Sequence, residues 1–344
     1  MKNVNQLLHL QKCKQILELR STIIRAMREF FWSQDFMEVE TPAIVRLPGQ
    51  EPHLSPMKIV LHNERGEKFQ GYLHTSPEYT MKKMLAAGFD RIFSLCKVFR
   101  DRESFGGLHN PEFTMVEWYR PNEDFWKLMD DVEHLIHRLV RKSSKIQDTR
   151  YKQFPITELP NYQITKIHMR DVWREYADVN LDDHLDQPSL LSLCKQKGCG
   201  ARDDEPYEDL FYRIFLNEIE PKLETKNPLI IHHYPAQMAA LAKLSDDDPR
   251  YAERFELYWK GMELANAFTE LTDPEEQRRR LESERERRRS LGKDVFDIDE
   301  EFLDAVARMP PSAGIALGVD RLVMALAGCE TIEDVIALSA AQLF

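Results

Sequence analysis

The sequence predicts an α+β fold, an antiparallel sheet flanked by helices and carrying a helical insertion. Three observations predict it. Apolar-rich stretches that read as strands gather in dense blocks, at 92–99 with 113–118, at 255–259 and at 314–319. Amphipathic helices precede and separate these blocks, as at 13–33 and 123–141. From about 145 to 226 the chain offers helices and no chemistry, which marks an insertion.

Composition bounds the function. The 344 residues allow about two domains or one large mixed domain, and 42% hydrophobic content is enough for a sizeable core. A formal charge of −11 argues against a general nucleic-acid binder while leaving room for a local basic patch. No run approaches the roughly eighteen apolar residues a membrane span needs. The first twenty residues alternate Leu with Gln, His and Lys and lack a signal-peptide core. Five scattered cysteines suggest reduced thiols in the cytoplasm. Cys194 and Cys199 are the closest pair, but no second pair follows and no zinc site is expected.

Taken in order, Ile16, Leu19, Ile23, Met27 and Phe30 recur at helical spacing, so a helix spans 13–33. Residues 36–42 alternate apolar and acidic side chains up to Pro42, the pattern of an edge or interface strand. Tyr72, Leu73 and His74 form another short strand. After it, Ser76 can cap a helix, Pro77 fits its first position and Glu78 complements its positive end. Gly88 stops that helix. The helix at 123–141 carries Phe125, Leu128, Val132, Leu135 and Leu139 on one face, and 143–166 reads as a connector. Inside the insertion, helices are expected at 169–176, 189–195 and 208–218. Residues 228–235 form a strand whose His232 and His233 should face opposite ways.

Three blocks carry the chemistry. In the first, Arg100 opens a polar loop after the strand at 92–99, and His109 and Asn110 close it before a Glu-rich strand returns. A plain surface hairpin would have the same outline. In the second, Glu263 and Glu270 flank Asn266 on a strand-like stretch; two buried carboxylates need a cation between them, and Mg2+ suits oxygen ligands completed by phosphates. Two surface glutamates would also satisfy the pattern. In the third, small residues from Gly314 to Val319 let another group approach the backbone, Asp320 can cap the next helix, and Arg321 begins it. An arginine buried there needs an anion. If Arg100 and Arg321 share a pocket with Glu263 and Glu270, a polyphosphate and its metal belong in it. Residues 273–292 interleave arginines with glutamates at helical spacing, as a solvated helix does, although its surplus of arginines could meet an acidic partner.

Together these residues resemble the three signature motifs of class II aminoacyl-tRNA synthetases: about 16–42 is similar to motif 1, about 92–121 to motif 2 and about 313–328 to motif 3. Thr75 to Glu78, His109 to Thr114 and Glu263 to Asn266 look like the lysyl branch. The resemblance covers nearly the whole chain as one catalytic domain. Motif 1 begins within about twenty residues of Met1, so the expectation is a core without the anticodon-reading OB-fold. Such a freestanding core resembles the ligases that attach lysine, preferentially (R)-β-lysine, to a lysine side chain of translation elongation factor P, whose shape imitates tRNA. The stretches 117–121 and 314–321 look most like that group.

The resemblance implies the site. Arg100 grips the α-phosphate of ATP and Arg321 the γ-phosphate. Arg102 or Glu103, with His109, Asn110, Leu264 and Gly318, sit at the nucleotide, and Glu263 and Glu270 hold Mg2+. Ser76, Pro77, Glu78, Tyr119, Glu270 and Ala316 line the amino-acid pocket. Ala316 stands where the synthetases usually have glycine, a change that suits a shifted amino group. The loop from Arg100 to Asn110 has one residue more than the family pattern, so either Arg102 or Glu103 could take its acidic position, and Glu103 is expected there. Ala267 replaces a common glycine. The implied assembly is a cytoplasmic homodimer joined through the motif 1 helix, with no membrane and no tRNA as partner. Charging of a tRNA, or a catalytically silent synthetase-like binding protein, are the rival expectations.

Overall fold

A computed structural model describes residues 6–144, 163–223 and 227–344. The expected connector at 143–166 and both ends of the expected insertion lie largely or partly outside them. In chain order the elements are α1 (Gln6–Trp32), β1 (Met37–Glu38), β2 (Ile44–Val45), β3 (Lys58–His62), β4 (Lys68–Leu73), α2 (Glu78–Ala86), β5 (Ile92–Phe99), β6 (Glu112–Pro121) and α3 (Phe125–Ser144). Then come β7 (Thr165–His168), α4 (Met169–Ala177), α5 (Gln187–Gln196), α6 (Tyr207–Ile214), β8 (Leu229–Pro235), β9 (Tyr251–Trp259) and β10 (Met262–Thr269). The chain closes with α7 (Pro274–Ser290), α8 (Glu300–Arg308), β11 (Ser312–Gly318), α9 (Val319–Ala327) and α10 (Ala340–Leu343).

The main sheet has eight strands in the order β1-β5-β6-β11-β10-β9-β8-β7. Its central pairs are antiparallel, as expected, but β1 joins β5 and β7 joins β8 in parallel. A second sheet, β2-β4-β3, stands beside it. Alternation along the strands decides what faces where. Val116 and Trp118 of β6 and Ala313, Ile315 and Leu317 of β11 join the main core with α1, α3 and α9. The intervening Met115, Glu117, Tyr119, Gly314, Ala316 and Gly318 turn to the opposite face, where a cavity opens. Register sets Glu117 against Ala316 and Tyr119 against Gly314. Buried Asp131 of α3 takes a bidentate pair from Arg120, at 2.6 and 2.9 Å, and the Trp118 indole N–H at 3.1 Å, which ties α3 to β6.

Four expectations are corrected. Asp320 does not cap α9; Gly318 is the cap, and the buried Asp320 carboxylate accepts the Thr114 N–H at 2.8 Å and pairs with Arg20 of α1. The Arg-rich helix is α7, and it is solvated on one side only: Gln277, Leu281 and Arg288 are buried, and Arg288 gives its guanidinium to the carbonyls of Glu51, Leu54 and Asp294. Its Arg280–Glu276 and Arg279–Glu276 pairs do follow the helical spacing. His232 and His233 do not face opposite ways, because a bulge with His233 at φ 60° brings their Nδ1 atoms within 2.6 Å. Pro77 is the cap of α2 rather than its first residue, with Ser76 Oγ accepting the Glu78 N–H at 3.0 Å.

The helices between β7 and β8 pack a second core. Trp173, Leu190, Leu210, Phe211 and Ile214 bury against Ile231, Tyr234, Tyr251 and Tyr258 of the outer strands. Among the described residues no helix is long and apolar enough to cross a membrane.

Candidate active site

The open face of the sheet floors a cavity of about 760 Å³. Its floor is low because Gly314, Ala316 and Gly318 carry little or no side chain where their neighbours project. A Cβ on Gly314 would fall 2.6 Å from Cδ1 of Tyr119 and closer still to Glu270 Oε1, so both side chains lie across that glycine. Loop 51–54, α2, α6 and α7 raise the walls.

One end of the cavity is basic. The β5–β6 loop delivers Arg100, whose Nε is buried without a hydrogen-bond partner and whose guanidinium sits 5.0 Å over the Phe113 ring. Burial lowers its pKa against the pull of Glu103, Glu51 and Glu263. Arg321, one turn into α9, donates to the Glu263 carbonyl at 2.8 Å and meets His109 Nε2 at 2.9 Å. Among the described residues neither arginine has a carboxylate within ion-pair reach, so their charge is available to an anion. A two-residue turn, Lys260 and Gly261 both at positive φ, brings β10 back along β9, and a bulge between Glu263 and Ala265 follows it. Glu263 lies there; burial and Glu256 raise its pKa against Arg321, Arg254 and Arg100, and it makes none of the described salt bridges.

The other end is acidic around one lysine. Lys82 of α2, wholly buried, pairs with Glu78 at 2.6 Å and with Glu270 at 2.7 Å. Burial alone would lower its pKa, and the two carboxylates raise it instead. Beside them Glu117 accepts from Ser76 Oγ at 2.5 Å and from the Tyr119 hydroxyl at 3.4 Å. Burial, then the charge of Glu78, pushes Glu117 up to about 8, so it is protonated at neutral pH. Under β9, Arg254 and the hydroxyls of Tyr234 and Tyr258 saturate Glu256 at 2.6, 2.6 and 2.7 Å, and Arg254 also reaches Asn266 Oδ1.

Most of the residues expected from the sequence come together. Ser76, Glu78, Arg100, Glu103, His109, Asn110, Tyr119, Glu263, Leu264, Glu270, Ala316, Gly318 and Arg321 all line the cavity. Pro77 and Arg102 do not; Arg102 is exposed at φ 60°, whereas Glu103 faces in. Asn110 spends its amide on structure, donating to the Glu112 carbonyl and accepting the Ala340 N–H. Glu263 and Glu270 are not brought together: the charges around Glu270 are Lys82 and Glu78, those around Glu263 are Glu256 and three arginines. Lys82, Glu117 and Glu256 escape the sequence reading. Lys82 had a signal, four residues after Glu78 and next to buried Met81 on the inner face of α2.

The class II tRNA synthetase family (D, K and N) matches residues 2–342 by its family model. The chain belongs to that family. Relatives of this class II synthetase chain are similar over nearly its full length. The elongation factor P–(R)-beta-lysine ligase of Avibacterium paragallinarum is 40% identical over 94% of this chain and 95% of its own. The proteins of the same name from Histophilus somni and Haemophilus influenzae are 39% and 38% identical, over 94% and 93% of this chain and 95% and 93% of theirs. The eight-stranded sheet with its open face is thus a class II synthetase core, and the cavity is its candidate active site.

Proposed function

We propose that this protein is an ATP-dependent ligase that activates lysine or (R)-β-lysine as an aminoacyl-adenylate and transfers it to a lysine side chain of elongation factor P. The observation that carries the proposal is the polarity of one cavity, with Arg100 and Arg321 at one end and the Glu78–Lys82–Glu270 group at the other. Phosphates and an amino acid's ammonium need those two ends. The relatives' names supply the acceptor.

In the first step a carboxylate oxygen of the amino acid attacks the α-phosphorus, and the bond to pyrophosphate breaks. Arg100 and Arg321 neutralise the phosphates, which removes the repulsion between two anions and holds them in line; each such preorganised group contributes about 3–4 kcal/mol. In the second step the acceptor amine attacks the adenylate carbonyl, loses a proton, and AMP leaves. Glu263 fits a magnesium ion, being a buried carboxylate without a salt bridge among the described residues, and phosphate oxygens would complete the shell. When bound, Mg2+ supplies further neutralisation of the phosphates. Glu270, already held by Lys82, serves the amino acid with Glu78, Ser76 and Tyr119.

Exposed Trp32 and Met37 at the end of α1 and on β1 support a homodimer through this segment. Five unpaired cysteines support a cytoplasmic setting. The test is ATP–pyrophosphate exchange with α-lysine and (R)-β-lysine, followed by mass spectrometry of elongation factor P after incubation. Exchange with a mass gain of one lysyl unit is the expected result. Exchange without transfer to the factor, together with charging of tRNA, would replace the proposal with a tRNA ligase.

A further inference from the structure

We propose that Lys82, which does not line the cavity, fixes where the amino-acid subsite accepts an ammonium group and so sets its discrimination between positional isomers of lysine. The inference rests on the ligase function proposed above and assigns a positioning residue within it. Its basis is a charge arrangement. Glu78 comes from α2 and Glu270 from just past the far end of β10, and the Lys82 ammonium joins them at 2.6 and 2.7 Å. Neither carboxylate makes another of the described ion pairs, so one buried cation serves two acids and the group has room for a second. The substrate's ammonium is that second cation.

The clamp is rigid. Lys82 is wholly buried behind the cavity wall, with its Nζ 5.8 Å above the Phe302 ring of α8. Phe302 in turn stacks on Tyr79 of α2 at 3.8 Å and 4°. The Glu270 oxygen not used by Lys82 lies over Gly314 against the buried Tyr119 ring. Moving an amino group from one carbon to the next displaces it by about 1.5 Å, one carbon–carbon bond. Carboxylates held from behind cannot follow that displacement, so one isomer meets them and the other leaves a buried charge unpaired. Without the ammonium of Lys82, Glu78 and Glu270 repel each other, move apart and lose their common aim.

The test is ATP–pyrophosphate exchange on the full chain with α-lysine and (R)-β-lysine, in wild type, Lys82→Met, Lys82→Gln and Lys82→Arg. In the neutral variants KM for the preferred isomer should rise about tenfold or more, with KM for ATP within about twofold of wild type. The ratio of kcat/KM for the two isomers should fall towards one, and Lys82→Arg, which returns a cation, should recover part of it. Lys82→Gln can still donate to both acids, and it carries the test if Lys82→Met does not fold. A merely structural lysine would lower Tm and slow both isomers alike. A folded neutral variant that keeps the wild-type ratio overturns the inference. So does a wild type that uses both isomers equally well, although the ligase function then stands. A wild type that exchanges neither isomer overturns the function itself.

Discussion

Gly314→Ala puts one methyl group where two side chains already lie. The new Cβ would stand 2.6 Å from Cδ1 of Tyr119, and nearer still to another carbon of that ring and to Glu270 Oε1. Comfortable carbon–carbon contact begins at about 3.5 Å, so the ring must retreat by about 1 Å. It has nowhere easy to go: Tyr119 is packed among Val39, Met81, Leu85, Ile92 and Met309. Glu270 is tied to Lys82 at 2.7 Å. Overpacking of this kind costs about 1–3 kcal/mol of stability. The larger effect falls on the amino-acid end, where a displacement of about 1 Å costs roughly a hundredfold in rate. The arginines at the other end are untouched, so KM for ATP should stay near wild type. The assay is ATP–pyrophosphate exchange at varied amino acid and varied ATP, with a thermal melt alongside. Gly318→Ala is the packing control for the thermal melt, because its Cβ would come no nearer than 3.7 Å to the Leu264 carbonyl. A Gly314→Ala protein with wild-type Tm and wild-type amino-acid kinetics would refute the placement of Tyr119 and Glu270 over this glycine.

Arg321→Ala should remove adenylate formation by about 3–4 kcal/mol, two to three orders of magnitude in exchange rate, with the fold intact because its partners are carbonyls and a histidine. Unchanged exchange would place the phosphates elsewhere. Asp320→Asn leaves the part-buried Arg20 without its counter-charge and should cost about 1.5–3 kcal/mol in urea unfolding; a loss below about 1 kcal/mol would show that the pair is not what joins α1 to α9. Glu117 has a folded pKa raised from 4.5 to about 8, so its contribution to stability is full below 4.5 and is lost as pH rises through 8. Glu117→Gln should therefore gain in Tm on wild type across that window. Parallel Tm-against-pH curves for the two proteins would contradict the protonated carboxyl.

The candidate site was legible from the sequence where charge patterns broke expected structure. Arg100 and His109 bracket a loop too charged for a plain turn, and Gly314 to Gly318 is too small for an ordinary strand; both sit where they were expected. What failed was anything set by what packs behind a residue. Asp320 looks like a cap in sequence because Asp so often caps, but Arg20, 300 residues away, claims its carboxylate. The helix α7 looks solvated because its composition is, yet Arg288 fills a buried position by satisfying three carbonyls at once.

By itself the sequence determined local geometry: the strands β5 and β6 and the helices α4, α5 and α6. These depend on periodicity, caps and turns, which act over a few residues. Only the tertiary structure decided the company each charge keeps. Glu270 and Glu263 lie seven positions apart on one strand region and look like partners, yet one is bound to a lysine from α2 and the other sits among arginines from the β5–β6 loop, β9 and α9. On a strand, seven residues span about 23 Å, so carboxylates near in sequence are distant in space. The pairing of a buried charge is chosen by the chain that folds over it.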